Sequence, residues 1–321
     1  MEDSSIQVSS QNPISKISLP AIMMKLAPAT PWKEKSMPIL DNETQVSVLV
    51  EGLDHAEGIA WGMDGYAYAG GEAGQLYRVD VDRGKLTQFA DTGGFILGLA
   101  LDAVGNIYAC DIGNKCVQKI TPGGMVTVYS AGPPGEPFKT PNYPTFDAIG
   151  NLYVADSGDW KADNGRIIKI APGGETTVWD RSLSQFPNGL CMGPNGEYLY
   201  AVMSLGPPRI ACVKINADGS AGITETVVIL PGTVPDGAAF DTDGNLYVSA
   251  YRPDRIYRLS PSGDLDTLAE DPEGTLMASP TNIAFCGHDR DILLSTNLGR
   301  WHLTRYEAGV TGMPLEYPVL G

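Results

Sequence analysis

The chain has 321 residues, 43% of them hydrophobic and 19% charged, which is ample material for a packed core and argues against disorder. Its 22 basic and 38 acidic side chains leave a net charge of −16, which argues against nucleic acid or an anionic membrane surface as a partner, since both need clustered Lys and Arg. No apolar run approaches the roughly 18 residues of a membrane-spanning helix.

Residues 1–43 hold five prolines and no steady period, so they are expected to form an arm, with 44–321 as the folded catalytic domain. Glu2 and Asp3 open the arm with no basic region and no apolar run behind them, unlike a secretory signal. Cys110, Cys116, Cys191, Cys212 and Cys286 are scattered without a CxxC pair and read as reduced thiols, which points to a cytoplasmic protein.

A strand-like run, VSVLVEG, occupies 46–52, and a recurrent cassette follows: an apolar triplet, a turn and a short β-rich run. It reads IAWGMDGYAYAGG, LALDAVGNIYACD, PTFDAIGNLYVAD, LCMGPNGEYLYAV, AAFDTDGNLYVSA and IAFCGHDRDILLST. The turns centre on Gly65, Gly105, Gly150, Gly196, Gly244 and Asp289, at spacings of 40, 45, 46, 48 and 45. That period suits a four-stranded propeller blade. The Asp-Gly, Asn-Gly and Gly-Asn dipeptides take the positive φ angles a tight hairpin needs. A third run follows every cassette (QLYRVD, VQKITP, RIIKIAP, ACVKINA, RIYRLSP, HLTRYEA), and a fourth follows all but the sixth. The unclaimed run at 46–52 is therefore expected to complete the last blade and remove its open edge. The fold class is all-β, a six-bladed β-propeller closed by an N-terminal strand.

Counting back eight residues from each turn centre reaches the head of every innermost strand: Glu57, Leu97, Asn142, Asn188, Asp236 and Thr281. In a propeller these positions ring the channel. Four of them are carboxylate or carboxamide residues where inner strands prefer small or apolar ones. A ring of oxygens suits one hard divalent cation, Ca²⁺ above all, with Zn²⁺, Mn²⁺ and Mg²⁺ as alternatives. Without a cation, two carboxylates so close would repel, and one would stay protonated.

At these residues the sequence resembles the senescence marker protein/gluconolactonase family, which includes regucalcin-like enzymes related in fold to diisopropyl fluorophosphatase. The matching pieces are HAEGIAW around Glu57, PNYPTFDAIGNLYVAD around Asn142, FPNGLCMGPNG around Asn188 and VPDGAAFDTDGNLYVSAY around Asp236. The resemblance implies that Glu57, Asn188 and Asp236 ligate one divalent metal, with Asn142 as a fourth ligand or as the holder of substrate or of a metal-bound water. It also implies a lactonase in which Asp236 is the general base. Tyr143 stands where sugar lactonases of the family often have an acidic residue, and Thr140 where they often have Arg. These departures point to a less hydroxylated lactone or ester. Asn142, Tyr143, His55, Arg252 and Thr281 are the candidate substrate contacts.

The expected reaction is metal-dependent opening of a lactone or ester by an activated water, which needs no serine nucleophile, and no GxSxG elbow is present. A phosphotriester hydrolase, a non-catalytic calcium-binding propeller and an isomerase or lyase are the competing functions. The expected partner is a small molecule, and the oligomeric state is left open.

Overall fold

The computed structural model describes residues 37–320, which contain 24 strands and no helix. Accordingly, no helix among the described residues is long and apolar enough to cross a membrane. The strands form six four-stranded antiparallel sheets around one axis, the expected propeller. Five blades are continuous in sequence. In the sixth, the strand Val46–Glu51 pairs antiparallel with His302–Tyr306, so the run at 46–52 closes the ring as expected.

The innermost strands are Ile59–Trp61, Ile96–Leu101, Pro141–Phe146, Pro187–Met192, Val234–Phe240 and Pro280–Cys286, for blades 1 to 6. Each turns into its neighbour through the repeated hairpin. Asp102, Asp147 and Asp241 anchor three of these turns by accepting hydrogen bonds from the backbone and side chain of Asn106, Asn151 and Asn245. Gly105, Gly150 and Gly244 supply the positive φ (83°, 91° and 83°) between them.

There is no single central core. Six apolar layers each join two adjacent blades, because a twisted sheet buries both faces only by stacking on neighbours. Tyr108 and Cys110 of blade 2, for example, pack on Phe146, Leu152 and Val154 of blade 3. Edge-to-face rings at 5.0–5.3 Å, Tyr108–Phe146, Tyr200–Phe240 and Tyr247–Phe285, recur between blades.

Residues 1–36 of the expected arm lie outside the described residues. Residues 39–42 run beside the outer strand of blade 5: the amides of Ile39 and Leu40 donate to the Thr267 and Leu268 carbonyls at 3.0 and 2.8 Å, and Leu40 is buried. At the other terminus a segment with no repeat signature crosses the turn end of the channel. Gly312 bridges Asp241, the Met313 amide donates to Phe240 O at 2.9 Å, the Tyr317 hydroxyl donates to Trp61 O at 2.6 Å, and Ala103 N donates to Pro318 O at 3.0 Å. Beneath it lies a cavity of about 80 Å³ lined mainly by apolar inner-strand residues, among them Ile59, Leu99, Phe146 and Phe240.

Candidate metal centre

At the opposite end, the strand heads share an irregularity. In blades 2 to 6 the inner strand carries one extra residue against its partner, between Ile96 and Leu99, Pro141 and Tyr143, Pro187 and Leu190, Pro235 and Ala238, and Pro280 and Ile283. The ring residues Leu97, Asn142, Asn188, Asp236 and Thr281 all fall inside these bulges. A bulge frees its residue from the ladder and re-aims the side chain. It explains how one register can point inward in blade after blade.

Buried hydroxyls pin the strand heads to one another. Ser157 Oγ donates to Pro187 O (2.6 Å), Ser204 Oγ to Pro235 O (2.7 Å), Ser249 Oγ to Thr281 O, and Thr296 Oγ1 to Glu57 O (2.7 Å). All four side chains belong to fully buried residues. Three of these links hold the backbone at or beside Asn188, Asp236 and Glu57, so neighbouring blades position the ring.

Asn188 and Asp236 meet directly: Asn188 Nδ2 donates to Asp236 Oδ2 at 3.0 Å, and the same nitrogen reaches Ser204 Oγ at 3.2 Å. Because a carboxylate can only accept, these bonds fix the amide with its oxygen turned away from both. Glu57 and Asp236 are close enough to repel. Burial, then Asp236, then Glu72 push the Glu57 carboxyl up to about 8; burial pushes Asp236 up to about 7, with the Asn188 bond pulling the other way. Asn142 is buried at the same register in blade 3. Two carboxylates and two carboxamides, all oxygen donors and short of positive charge, are a set that fits a hard divalent cation.

The remaining candidates lie around this cluster in different roles. Thr281 is fully buried and its hydroxyl donates to Glu57 O at 3.0 Å, which leaves it no donor for a substrate. Leu97 is buried without a polar atom. Tyr143 is buried on the channel wall and reaches down to the apolar cavity; burial raises its phenol. His55 sits at the rim: Trp301 Nε1 donates to His55 Nε2 at 3.1 Å and His55 Nδ1 lies 2.7 Å from Glu72 Oε2, so the proton resides on Nδ1. Asp54, His55 and Glu72 bring ligand atoms within 4.8 Å of one another, but this trio is half-open to solvent. Arg252 is exposed, next to Tyr251.

Other residues surround this cluster. Tyr251 is held neutral, its phenol pushed to about 12 by burial and by the charges of Asp236 and Glu57. The serine and threonine links were visible only as single hydroxyl residues near the ends of second strands. At the mouth, Trp160 stacks edge-on against Phe186, directly before Pro187 and Asn188, with centroids 4.7 Å apart.

Comparison with known proteins identifies the family and agrees with the propeller fold. The 171 residues that align with strictosidine synthase-like protein 3 of Arabidopsis thaliana are 32% identical and cover 48% of this chain; the match spans 42% of that protein's length. A gluconolactonase of Zymomonas mobilis is 25% identical over 70% of this chain and 72% of its own. The structure of a calcium-binding protein, regucalcin, from Agrobacterium tumefaciens superposes with a TM-score of 0.70 at 19% identity, covering 86% of this chain and 97% of that one. Residues 125–298, just over half of the chain, match the family model described as the SMP-30/Gluconolactonase/LRE-like region. The chain is a six-bladed propeller that belongs to the SMP-30/gluconolactonase/LRE-like family.

Proposed function

We propose that the protein is a divalent-cation-dependent hydrolase that opens a lactone or a related ester. The observation that carries this reading is the pairing of Glu57 and Asp236, two carboxylates raised by burial and, for Glu57, by its neighbour, with Asn188 turned by two hydrogen bonds so that its oxygen is free. Glu57, Asn142, Asn188 and Asp236 would hold the cation, which supplies Lewis-acid polarisation of the substrate carbonyl when bound.

The chain's own groups account for the rest. Asp236 Oδ2 is tied to Asn188, while Oδ1 has no protein donor and can take the proton of the attacking water. A base near neutral pH combines adequate basicity with the right protonation state. The strand heads are fixed by buried hydroxyl links, so these groups are positioned before substrate arrives. Trp160, Phe186 and Trp301 give the mouth an aromatic rather than hydroxyl-binding character, which favours a sparsely hydroxylated lactone. Tyr251 and Arg252 offer neutral and charged donors on one side, the latter suited to the carboxylate that ring opening creates.

The test is a panel of aliphatic, aromatic and sugar lactones, with esters and phosphotriesters alongside, read by pH indicator with Ca²⁺, Mn²⁺ or Zn²⁺ and after chelation. Lactone turnover that disappears with chelator and returns with metal is expected. Full turnover in metal-free protein would refute the proposal. Calcium binding without turnover of any substrate would reduce the protein to a cation-binding propeller.

A further inference from the structure

One residue beyond the ring, the six inner strands carry Gly58, Gly98, Tyr143, Gly189, Gly237 and Asn282. Glycine suits this layer because the strands converge. A Cβ on Gly189 would lie 2.6 Å from the Asp236 carbonyl oxygen, and one on Gly237 would lie 2.8 Å from both Cα and Oδ1 of Asn282. Blade 6 nevertheless places a carboxamide there. Asn282 is 3% exposed, and its Oδ1 has no hydrogen-bond partner. The residue is flanked by both acidic strands: its side chain lies against Gly237, next to Asp236, and its backbone N–H donates to Glu57 O at 3.3 Å and to Thr296 Oγ1 at 3.2 Å.

A buried carboxamide oxygen without a partner is destabilising, and folded proteins leave few such atoms unsatisfied by protein or water. Here the protein offers no donor, while the ring one residue away offers polar oxygens that do not reach it. A water needs two to four polar partners to be held in an interior. Asn282 Oδ1, without a protein donor, can serve as one of them.

We propose that Asn282 is part of the cation site: its carboxamide oxygen extends the oxygen set of Glu57, Asn142, Asn188 and Asp236 from beneath, by holding a water in the layer under the ring. This rests on the cation reading proposed above. Outer partners of this kind typically contribute about 10–100-fold to metal affinity. The same residue is a liability to the metal-free protein, since its orphaned oxygen stabilises nothing there.

The experiment measures Ca²⁺ and Mn²⁺ affinity by calorimetry, and Tm with and without metal, for the full chain, N282L and N282D. For N282L, affinity is expected to fall about tenfold or more, with a metal-free Tm equal to or above that of the parent and a smaller Tm gain on adding metal. Parent-like affinity in N282L, with metal-free Tm lowered or not, would overturn the assignment and leave Asn282 a packing residue. N282D keeps shape and oxygen and adds charge, so it should bind at least as tightly as the parent; a folded N282D that binds no cation would also overturn it, whether or not N282L folds. If the parent chain itself takes up neither ion, the ring reading fails and Asn282 falls with it.

Discussion

At the turn end of the channel Asp102, Asp147 and Asp241 each collect backbone, amide and phenol donors, the phenols of Tyr108, Tyr153 and Tyr247 at 3.1, 3.4 and 3.0 Å. A few residues up the same strands, at the ring end, Glu57 accepts no side-chain donor, Asp236 has one, and Asn282 Oδ1 has none. One set of six strands thus carries well-partnered carboxylates at one end and under-partnered ones at the other. Local consistency makes the first end a scaffold. On the proposed reading, the under-partnered groups at the second are where a cation completes the structure. Substitutions at the two ends should therefore separate stability from activity.

The largest effect is expected from Asp236→Asn. Removing the proton acceptor should lower kcat by about 10²–10⁴-fold on the best lactone of the panel, with metal-free Tm unchanged or raised, because a strained carboxylate has gone. A large loss of Tm in the metal-free variant would show that the ring end is scaffold too. Phe240→Ala, under the turn-end cavity, should do the reverse. Truncating this buried ring destabilises by about 3–5 kcal/mol, seen in chemical denaturation, while kcat per folded molecule stays at the parent value.

The third contrast is with pH. The Glu57 and Asp236 carboxyls keep their protons in the folded protein up to about 8 and about 7, against ordinary values of 4.5 and 3.8 in the unfolded chain. Between those limits the folded state binds more protons than the unfolded one, so stability is greatest below pH 4 on this account and declines as pH rises to 8. Metal-free Tm should fall across that window, and added Ca²⁺ should raise Tm more at pH 8 than at pH 5. Equal gains at both would break the pairing of the two carboxylates. Ser204→Ala removes the hydroxyl that accepts from Asn188 and donates to Pro235 O. It should cost about 1–3 kcal/mol and weaken metal binding about 10-fold or more in calorimetry. Smallest is Tyr317→Phe at the turn end, where loss of the bond to Trp61 O should lower stability by about 1 kcal/mol with no change in metal affinity.

Blade number, ring closure and ring register were all legible in the sequence, because each rests on chemistry confined to a dozen residues: Asp-Gly and Gly-Asn turns, β-rich runs and a fixed offset from turn to strand head. The bulges were not, since a one-residue excess is defined only against the partner strand. Ser157, Ser204, Ser249 and Thr296 act across to the next blade, and no spacing within a blade marks them. Thr281 shows the cost of reading register alone: it occupies a ring position, yet its hydroxyl belongs to the contact with Glu57 O. Asn282 did leave a trace, as one of two residues, with Tyr143, that break a column of glycines one place on from the ring. The crossing segment at residues 311–320 left none, having neither period nor repeat.

Blade 6 is assembled from segments far apart in the sequence, with Val46–Glu51 waiting for His302–Tyr306. During synthesis the first of these strands leaves the ribosome some 250 residues ahead of its mate. Until His302–Tyr306 has been made, the nascent chain carries an unmated sticky border at each side of an incomplete circle, open to pairing with a second molecule. Circularly permuted genes that begin at the boundary between two intact blades would bring these partners together early, and should yield more soluble protein at high expression than the natural order.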